Sequence, residues 1–412
     1  MKFNRNYPLL LGSQFSSAFA DNVLLAVILG QLTFMHKNME ITESQLRAYN
    51  AIYTSLFFIP YILLAPLAGY LNDRFAKTRW LLGGNAIKAF GVIIATMSVW
   101  WGYQWQALGY LIVGIGACIY SPAKYGILPE ILPNERLVKA NGTVEILTLV
   151  AILTGPVTGA IMVDRYPVLT CYAILMGIFA VSISLNLLMD KTPHNPAIRL
   201  KESYSEFVLN FKDLATSPRL IRILLGTGVF WIAGAVLKIN FQPWGIGVLG
   251  FETNRQIATL GLWLGVGVMI GSVLAGQLHK VGDVSKTRLY GALLAGLVIL
   301  LSAVTKAWIS VPFLILIGAV AGLFLIPLNA ALQAESHPDK LGKTIAAQNF
   351  VDNVAMIAGG AFVMLSIRYD LDARGVFIGL GIIVFLCVLG LKIPKHQPTQ
   401  AYVEPTAKQK AD

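Results

Sequence analysis

The sequence predicts an all-α membrane protein with twelve transmembrane helices in two six-helix halves. Three observations predict it: scarcity of charge, a series of apolar runs of spanning length, and one long polar break at the middle. Of 412 residues, 56% are hydrophobic and only 13% charged, whereas a soluble domain carries roughly a quarter charged residues. With a mean hydropathy of +0.66, lipid is the solvent that suits this chain. The net charge of +11 does not imply nucleic acid, because that reading needs a clustered basic face on a soluble fold. Here the charges punctuate apolar runs.

A membrane helix needs roughly 20 mostly apolar residues. Such runs fall at 8–35, 49–71, 79–101, 105–129, 139–163, 168–189, 219–247, 257–280, 287–305, 308–334, 342–367 and 373–392. In the first, Ala18-Phe19-Ala20 resembles a leader-cleavage site, but apolar character continues from Val23 to Phe34. An uncleaved first helix is therefore expected. The polar break divides the chain into a half at 1–190, a cytoplasmic linker at 191–218, a second half at 219–392 and a cytoplasmic tail at 393–412. Ser203, Ser205 and Glu206, followed by Phe207, Val208 and Phe211, suggest a short amphipathic surface helix in the linker, the equal alternative being a solvated tether, and no function is assigned to it.

Basic residues orient the bundle. With both termini in the cytoplasm, the opposite loops hold only Lys37, Arg47, Arg165, Arg255, Lys306, Arg368 and Arg374. Trp100, Trp101, Trp105 and Trp308 then fall at the outer interface, where aromatic belts form. A weak parallel repeat supports the division into halves. Gly114 to Pro133 matches Gly318 to Pro338, placing Pro122, Glu130 and Pro133 on Pro327, Glu335 and Pro338. Parallel halves with a site at their shared interface are a transporter arrangement.

Cys118, Cys171 and Cys387 lie in apolar runs at unrelated spacings, and the five histidines lie at or beyond run ends. No disulfide framework or metal spacing follows, and no cofactor or enzyme active site is expected.

Two groups of residues can carry mechanism. The loop between the second and third runs contains Gly69, Asp73, Arg74 and Lys77. Gly69 would allow two helix ends to approach closely, and Asp73 would accept from basic groups or a helix N-terminus. Such a cluster can latch the cytoplasmic side; the plainer reading is a topogenic basic loop. The second group is the in-span set Asp21, Lys88, Lys124, Glu145, Lys238 and Asp352. Each would cost about 3 kcal/mol unpaired at a helix centre, so they must face one another or a wet cavity. Asp21 and Lys238 lie in different halves, so a pair between them would bridge the interface. Lys124 and Glu145 are expected to pair with each other, while Lys88 can serve as a structural ion-pair member or a substrate contact. Asn22, Asn85, Asn329, Gln348, Asn349 and Asn353 accompany these charges, either lining the cavity or joining helices.

The loop from Gly69 to Arg79 resembles the signature of the major facilitator superfamily, G-x-x-x-D-R-x-x-x-[RK], with its basic positions slightly displaced. More narrowly, Ser16 to Asn22, Tyr120 to Leu128, Leu137 to Gly142, Ile326 to Gln333 and Ala347 to Asn349 resemble the bacterial lysophospholipid transporters. Asp352 and Asn353 fit the same pattern. The resemblance runs from the first to the eleventh helix and is most specific in the fourth and fifth. It implies a monomeric flippase moving lysophospholipid, chiefly lysophosphatidylethanolamine, inward across the bacterial inner membrane. A separate acyltransferase/acyl-carrier synthetase would then restore the second acyl chain; His279 to Asp283 is one residue short of an acyltransferase H-x-x-x-x-D. It further implies that Asp21, Asn22, Lys124, Lys238, Asn349 and Asp352 bind substrate or gate the path. Where the family typically has arginine this chain has Lys238, which keeps the charge but loses the planar fork. A proton-coupled facilitator for a small metabolite or drug, with Asp21 or Asp352 carrying the proton, remains open on the residues.

Overall fold

A computed structural model describes residues 5–196, 199–280, 282–335 and 341–394, without the side chains of 134–139, 141, 142, 145, 201–203, 210 and 341–343. Ten helices are long and apolar enough to cross a membrane, among the described residues. In order, the first group is α1 (Asn6–Lys37), α2 (Glu43–Leu56), α3 (Ile59–Leu63), α4 (Ala65–Arg74), α5 (Lys77–Thr96), α6 (Ser98–Trp101), α7 (Gln104–Gly126), α8 (Leu128–Ile131), α9 (Asn134–Arg165) and α10 (Val168–Leu187). A linking helix follows, α11 (Leu200–Thr216). The second group is α12 (Pro218–Gly247), α13 (Asn254–Leu278), α14 (Thr287–Leu301), α15 (Ala307–Glu335), α16 (Leu341–Arg368) and α17 (Ala373–Gly390).

The expected twelve spans are reduced for local reasons. The second run is broken: Glu43–Leu63 and Ala65–Arg74 meet at 56° and make an eleventh span only if taken together. Pro60 and Pro66 begin the segments on either side of the break, and each removes a backbone donor from the ladder. The ninth run is helical only from Thr287 to Leu301, about 22 Å at 1.5 Å per residue, and continues as turns through Val304. That is shorter than the ~30 Å hydrocarbon layer.

Caps and glycines set the rest. Thr42 with Gln45, and Thr253 with Gln256, close reciprocal capping boxes at α2 and α13. Asp372 accepts from the Gly375 amide at the start of α17. Helices α5 and α7 touch backbone to backbone at Gly84 and Gly116, where a methyl on Gly116 would meet the Gly84 carbonyl at 2.5 Å. Small residues permit that approach in lipid, where packing rather than hydrophobic exclusion joins helices. Each group fills its own core, around Tyr172 and Phe179 in the first and Trp244, Phe324 and Phe377 in the second.

The groups meet unevenly along the bundle. At the end distant from Asn6 and Lys392, here the far end, Gln242 of α12 donates to Thr33 and to the Leu29 carbonyl of α1. Asp164, closing α9, accepts from the Asn254 and Arg255 amides that open α13. Lys37 donates to the Glu252 carbonyl, and Arg47 of α2 donates to Ser366 of α16. Towards the near end α11 bridges the groups, packing on α4, α12 and α16. Phe207 and Phe211, on the amphipathic face expected of the linker, stack edge-on against Phe350.

Candidate translocation site

The first group assembles its polar cluster from four helices. Ser13, Ser17 and Asp21 recur every fourth residue on α1 and so share one face. Asn85 and Lys88 on α5 meet them. Lys88 Nζ donates to Asp21 Oδ2 at 2.5 Å and to Ser17 Oγ at 2.9 Å, and lies 5.2 Å from the Tyr120 ring of α7. Asn85 receives the Ser17 hydroxyl at 2.6 Å and donates to Ser182 of α10 at 2.7 Å. Asp21 and Lys88 are 7% and 2% exposed. Removing both charges from water is worthwhile only with such close geometry and further hydrogen bonds. Lys124 lies near enough to Asp21 to act on it electrostatically, and its ammonium sits 4.6 Å from the Tyr125 ring.

The second group is arranged differently. Lys238, about two-thirds of the way along α12, has an exposed side chain between buried Leu237 and Ile239. Among the described residues it has no ion-pair or hydrogen-bond partner. Asp352 of α16 is buried and accepts from Thr227 of α12 at 2.8 Å, with Trp231 and Gln348 close by. Asn349 is exposed one turn before Asp352, while Gln348 donates to Asn329 at 2.8 Å. Asn22 turns back to the Ala18 carbonyl.

The bridge between Asp21 and Lys238 does not form; Lys88 takes that place. The reason is depth. Gln242 and Thr33 are level at the far end; Lys238 lies four residues from that level and Asp21 twelve, about 6 Å and 18 Å along their helices. The Glu145 side chain, and with it the expected pair with Lys124, lies outside the described residues, as does Pro338.

The latch residues stay at the near end. Lys77 pairs with Glu130, Arg74 donates to the Tyr70 hydroxyl at 2.9 Å, and the Arg74 carbonyl accepts from the Asn195 amide. Asp73 is exposed. The close approach expected at Gly69 is absent, since a methyl there would meet nothing within 4 Å; at this end the groups are bridged by α11 rather than packed directly.

The second group carries a counterpart that the sequence reading passed over. Arg219 forks onto Glu335, Nε and Nη2 each at 2.6 Å, and Nη2 also donates to the Gly282 carbonyl at 2.9 Å. Glu130 and Glu335 occupy matching positions of the repeat, and Lys77-Thr78-Arg79 recurs as Lys286-Thr287-Arg288 opening α14. The matching of Glu130 and Glu335 in the repeat was the available signal.

A paired acid–base core in one helix group and an unpaired mid-span lysine in the other suit a carrier, and the family model for the Major Facilitator Superfamily matches residues 10–360. The chain belongs to that superfamily, within the lysophospholipid transporter family. It is 35% identical over 393 residues to the lysophospholipid transporter LplT of Photorhabdus laumondii, covering 94% of this chain and 95% of that one. It is 31% identical over 394 residues to LplT of Klebsiella pneumoniae, covering 94% and 96%. Among solved structures, it resembles a POT family transporter in complex with 5-aminolevulinic acid at TM-score 0.75 and 16% identity, covering 94% and 96%. It also resembles a bacterial homologue of the human lysosomal transporter Spinster, inward-facing and unoccupied, at TM-score 0.71 and 13% identity, covering 97% and 100%. At these identities the solved structures speak to fold alone. The major facilitator chain is thus a multi-pass membrane transporter protein, not an enzyme.

Proposed function

We propose that this transporter moves lysophospholipid, chiefly lysophosphatidylethanolamine, from the outer to the inner leaflet of the bacterial inner membrane for reacylation. The near end is cytoplasmic in this reading, since the basic loops and both termini lie there. Short α14 and the turns after it complete a twelfth span, giving two halves of six. The closed far end and the α11-bridged near end correspond to a carrier open towards the cytoplasm.

The observation that carries the proposal is Lys238, a mid-span cation with an exposed side chain and no partner among the described residues. A lysophospholipid phosphate supplies the missing charge, and Asn349 and the Asp352 neighbourhood offer hydrogen-bonding groups for the rest of the head. The 35% likeness over nearly the whole chain to a protein named a lysophospholipid transporter supports the substrate class. Asp21 and Lys88 hold the first half's core, and the cluster of Gly69, Asp73, Arg74 and Lys77 latches the cytoplasmic side when it closes. Acylation by a separate enzyme removes the product and draws the cycle inward.

Uptake of radiolabelled lysophosphatidylethanolamine by membranes with and without the protein tests this. Protein-dependent uptake that survives an ionophore is expected; no protein-dependent uptake would overturn the reading. One observation favours a second reading: Asp352 is buried among a hydroxyl, an indole and an amide with no cation paired to it in the described residues, as a proton carrier would be. Uptake abolished by the ionophore would favour it.

A further inference from the structure

The tight seam where α2 crosses onto α16 contains polar groups that the structure leaves without partners. Arg47, Asn50 and Thr54 stand at i, i+3 and i+7 of α2 and share one face. That face points at the second half: Ala51 between them belongs to the second half's hydrophobic core, and a methyl on Gly360 of α16 would strike Ser55. The three are 6%, 1% and 2% exposed. Arg47 Nη2 reaches Ser366 Oγ at 3.3 Å, but among the described residues Arg47 Nε, both atoms of the Asn50 amide and the Thr54 hydroxyl have no hydrogen-bond partner.

Buried polar groups are nearly always paired, and in lipid there is no bulk water to relieve them. Isolated failures occur; a guanidinium, an amide and a hydroxyl failing together on one helix face is a pattern. The face lies in a seam between the halves, and a carrier closed at this end must part that seam to take substrate from the other side. Parting it turns the whole stripe towards the opening.

We propose that Arg47, Asn50 and Thr54 form the outer reception site for the phosphate of a zwitterionic phospholipid head, occupied before the substrate descends to Lys238. The donors suit the ligand: a guanidinium fork matches phosphate oxygens, and an amide and a hydroxyl one and two turns further in follow the head as it moves inward. Glu43 and Asp372 act electrostatically on Arg47 from the exposed rim, within reach of an ammonium attached to the same phosphate. Closure then expels the head from the stripe and leaves its donors unpaired, so the unpaired state belongs to the substrate-released side of the cycle. The proposal rests on the lysophospholipid reading and on the far end being outer.

The test uses the full chain in phosphatidylglycerol–phosphatidylethanolamine vesicles, with lysophosphatidylethanolamine or the phosphate-free monoacylglycerol supplied to the far-end face. Arg47→Gln should raise the half-saturating lysophosphatidylethanolamine concentration about tenfold, the scale of one lost charged hydrogen bond, with the maximal rate within about twofold; the conservative Arg47→Lys should recover part of the loss. Should Arg47→Gln fail to fold, the near-isosteric pair Asn50→Leu with Thr54→Val carries the same measurement, with a several-fold rise expected. Interaction with monoacylglycerol, read by competition, should be unchanged by every variant. An unaltered half-saturation in the Asn50→Leu, Thr54→Val protein, or a fall in maximal rate alone, would overturn the reception site while leaving the transport reading intact. A wild-type protein inert towards lysophosphatidylethanolamine would overturn both.

Discussion

The central charges of the two helix groups are handled in opposite ways. In the first, Asp21, Lys88, Ser17 and Asn85 bond to one another within a buried cluster of α1, α5 and α10, with Asp21 Oδ1 left without a partner among the described residues. In the second, Lys238 and Asp352 lie on adjacent helices α12 and α16 without pairing: the acid takes a hydroxyl and the lysine takes nothing. Buried charges persist in a membrane interior when they are paired or when they serve a water-filled path. The first group shows the former condition; under the proposed function the second would serve the latter. One group thus buries its charges as a pair, and the other leaves Lys238 exposed and Asp352 without a described cation.

The contrast is broken most forcefully from the first group. Lys88→Ala removes the ammonium 2.5 Å from Asp21 and leaves a buried carboxylate alone, which costs about 3–5 kcal/mol. Thermal unfolding in detergent should drop steeply, and adding Asp21→Asn should restore much of the loss because no orphan charge remains. Unchanged unfolding in the single variant would mean the pair is not structural, and the comparison would collapse.

Lys238→Gln should invert that pattern. No described partner is stranded, so unfolding should stay within the ±0.5 kcal/mol usual for peripheral changes, while lysophosphatidylethanolamine uptake falls at least tenfold, about 1.4 kcal/mol of lost binding. Lys238→Arg should retain uptake, since the charge survives and a planar fork suits phosphate. A Lys238→Gln protein that unfolds early would place this lysine in a structural role like that of Lys88.

The near-end ion pairs sharpen the comparison at smaller scale. Arg219 reaches Glu335 through two parallel bonds with side chains 11% and 10% exposed, whereas Lys77 and Glu130 are 17% and 21% exposed and joined by one contact. Arg219→Lys should lower stability by about 1.5–3 kcal/mol through loss of a charged bidentate contact. Lys77→Gln should cost no more than about 1 kcal/mol, the ceiling for exposed pairs. Equal losses by calorimetry would show that geometry at this end matters less than charge.

Much of this architecture was legible because lipid demands long apolar runs, and run length is written plainly in sequence. The amphipathic face of Phe207 and Phe211, and the need of a buried charge such as Asp21 or Lys88 for a partner, followed from the cost of polarity in lipid. Depth along a helix was not legible. Asp21 and Lys238 occupy corresponding helices of the two groups, yet the level at which α1 meets α12 is set by Gln242 on Thr33, a contact without a local signature. Gly69 was misread for a related reason, since a motif glycine marks an approach that one arrangement of the halves makes and another does not. The acidic member of the second-group ion pair was legible in principle through the matching of Glu130 and Glu335 in the repeat.

The smallest effect belongs to the loop after α13. The Asp283 carboxyl accepts from the Ser285 amide at 3.1 Å and lies 3.1 Å from His279 Nδ1, whose other nitrogen meets the Tyr290 hydroxyl at 2.9 Å. The hydrogen bonds from Ser285, then the contact with His279, hold its pKa down to about 2, below the ~3.9 of an unfolded aspartate. A depressed folded pKa contributes stability that is present above pH ~4 and lost as pH falls through about 2. Because the Asp283 side chain is 39% exposed, solvent screening limits the contribution to under about 1 kcal/mol. Asp283→Asn should therefore lower the unfolding temperature slightly at pH 6 and progressively less as the pH falls towards 2, so that the two melting curves converge on acidification. A gap that widened towards low pH would reverse the sign of the linkage and show that the loop is held by a neutral Asp283 rather than a carboxylate.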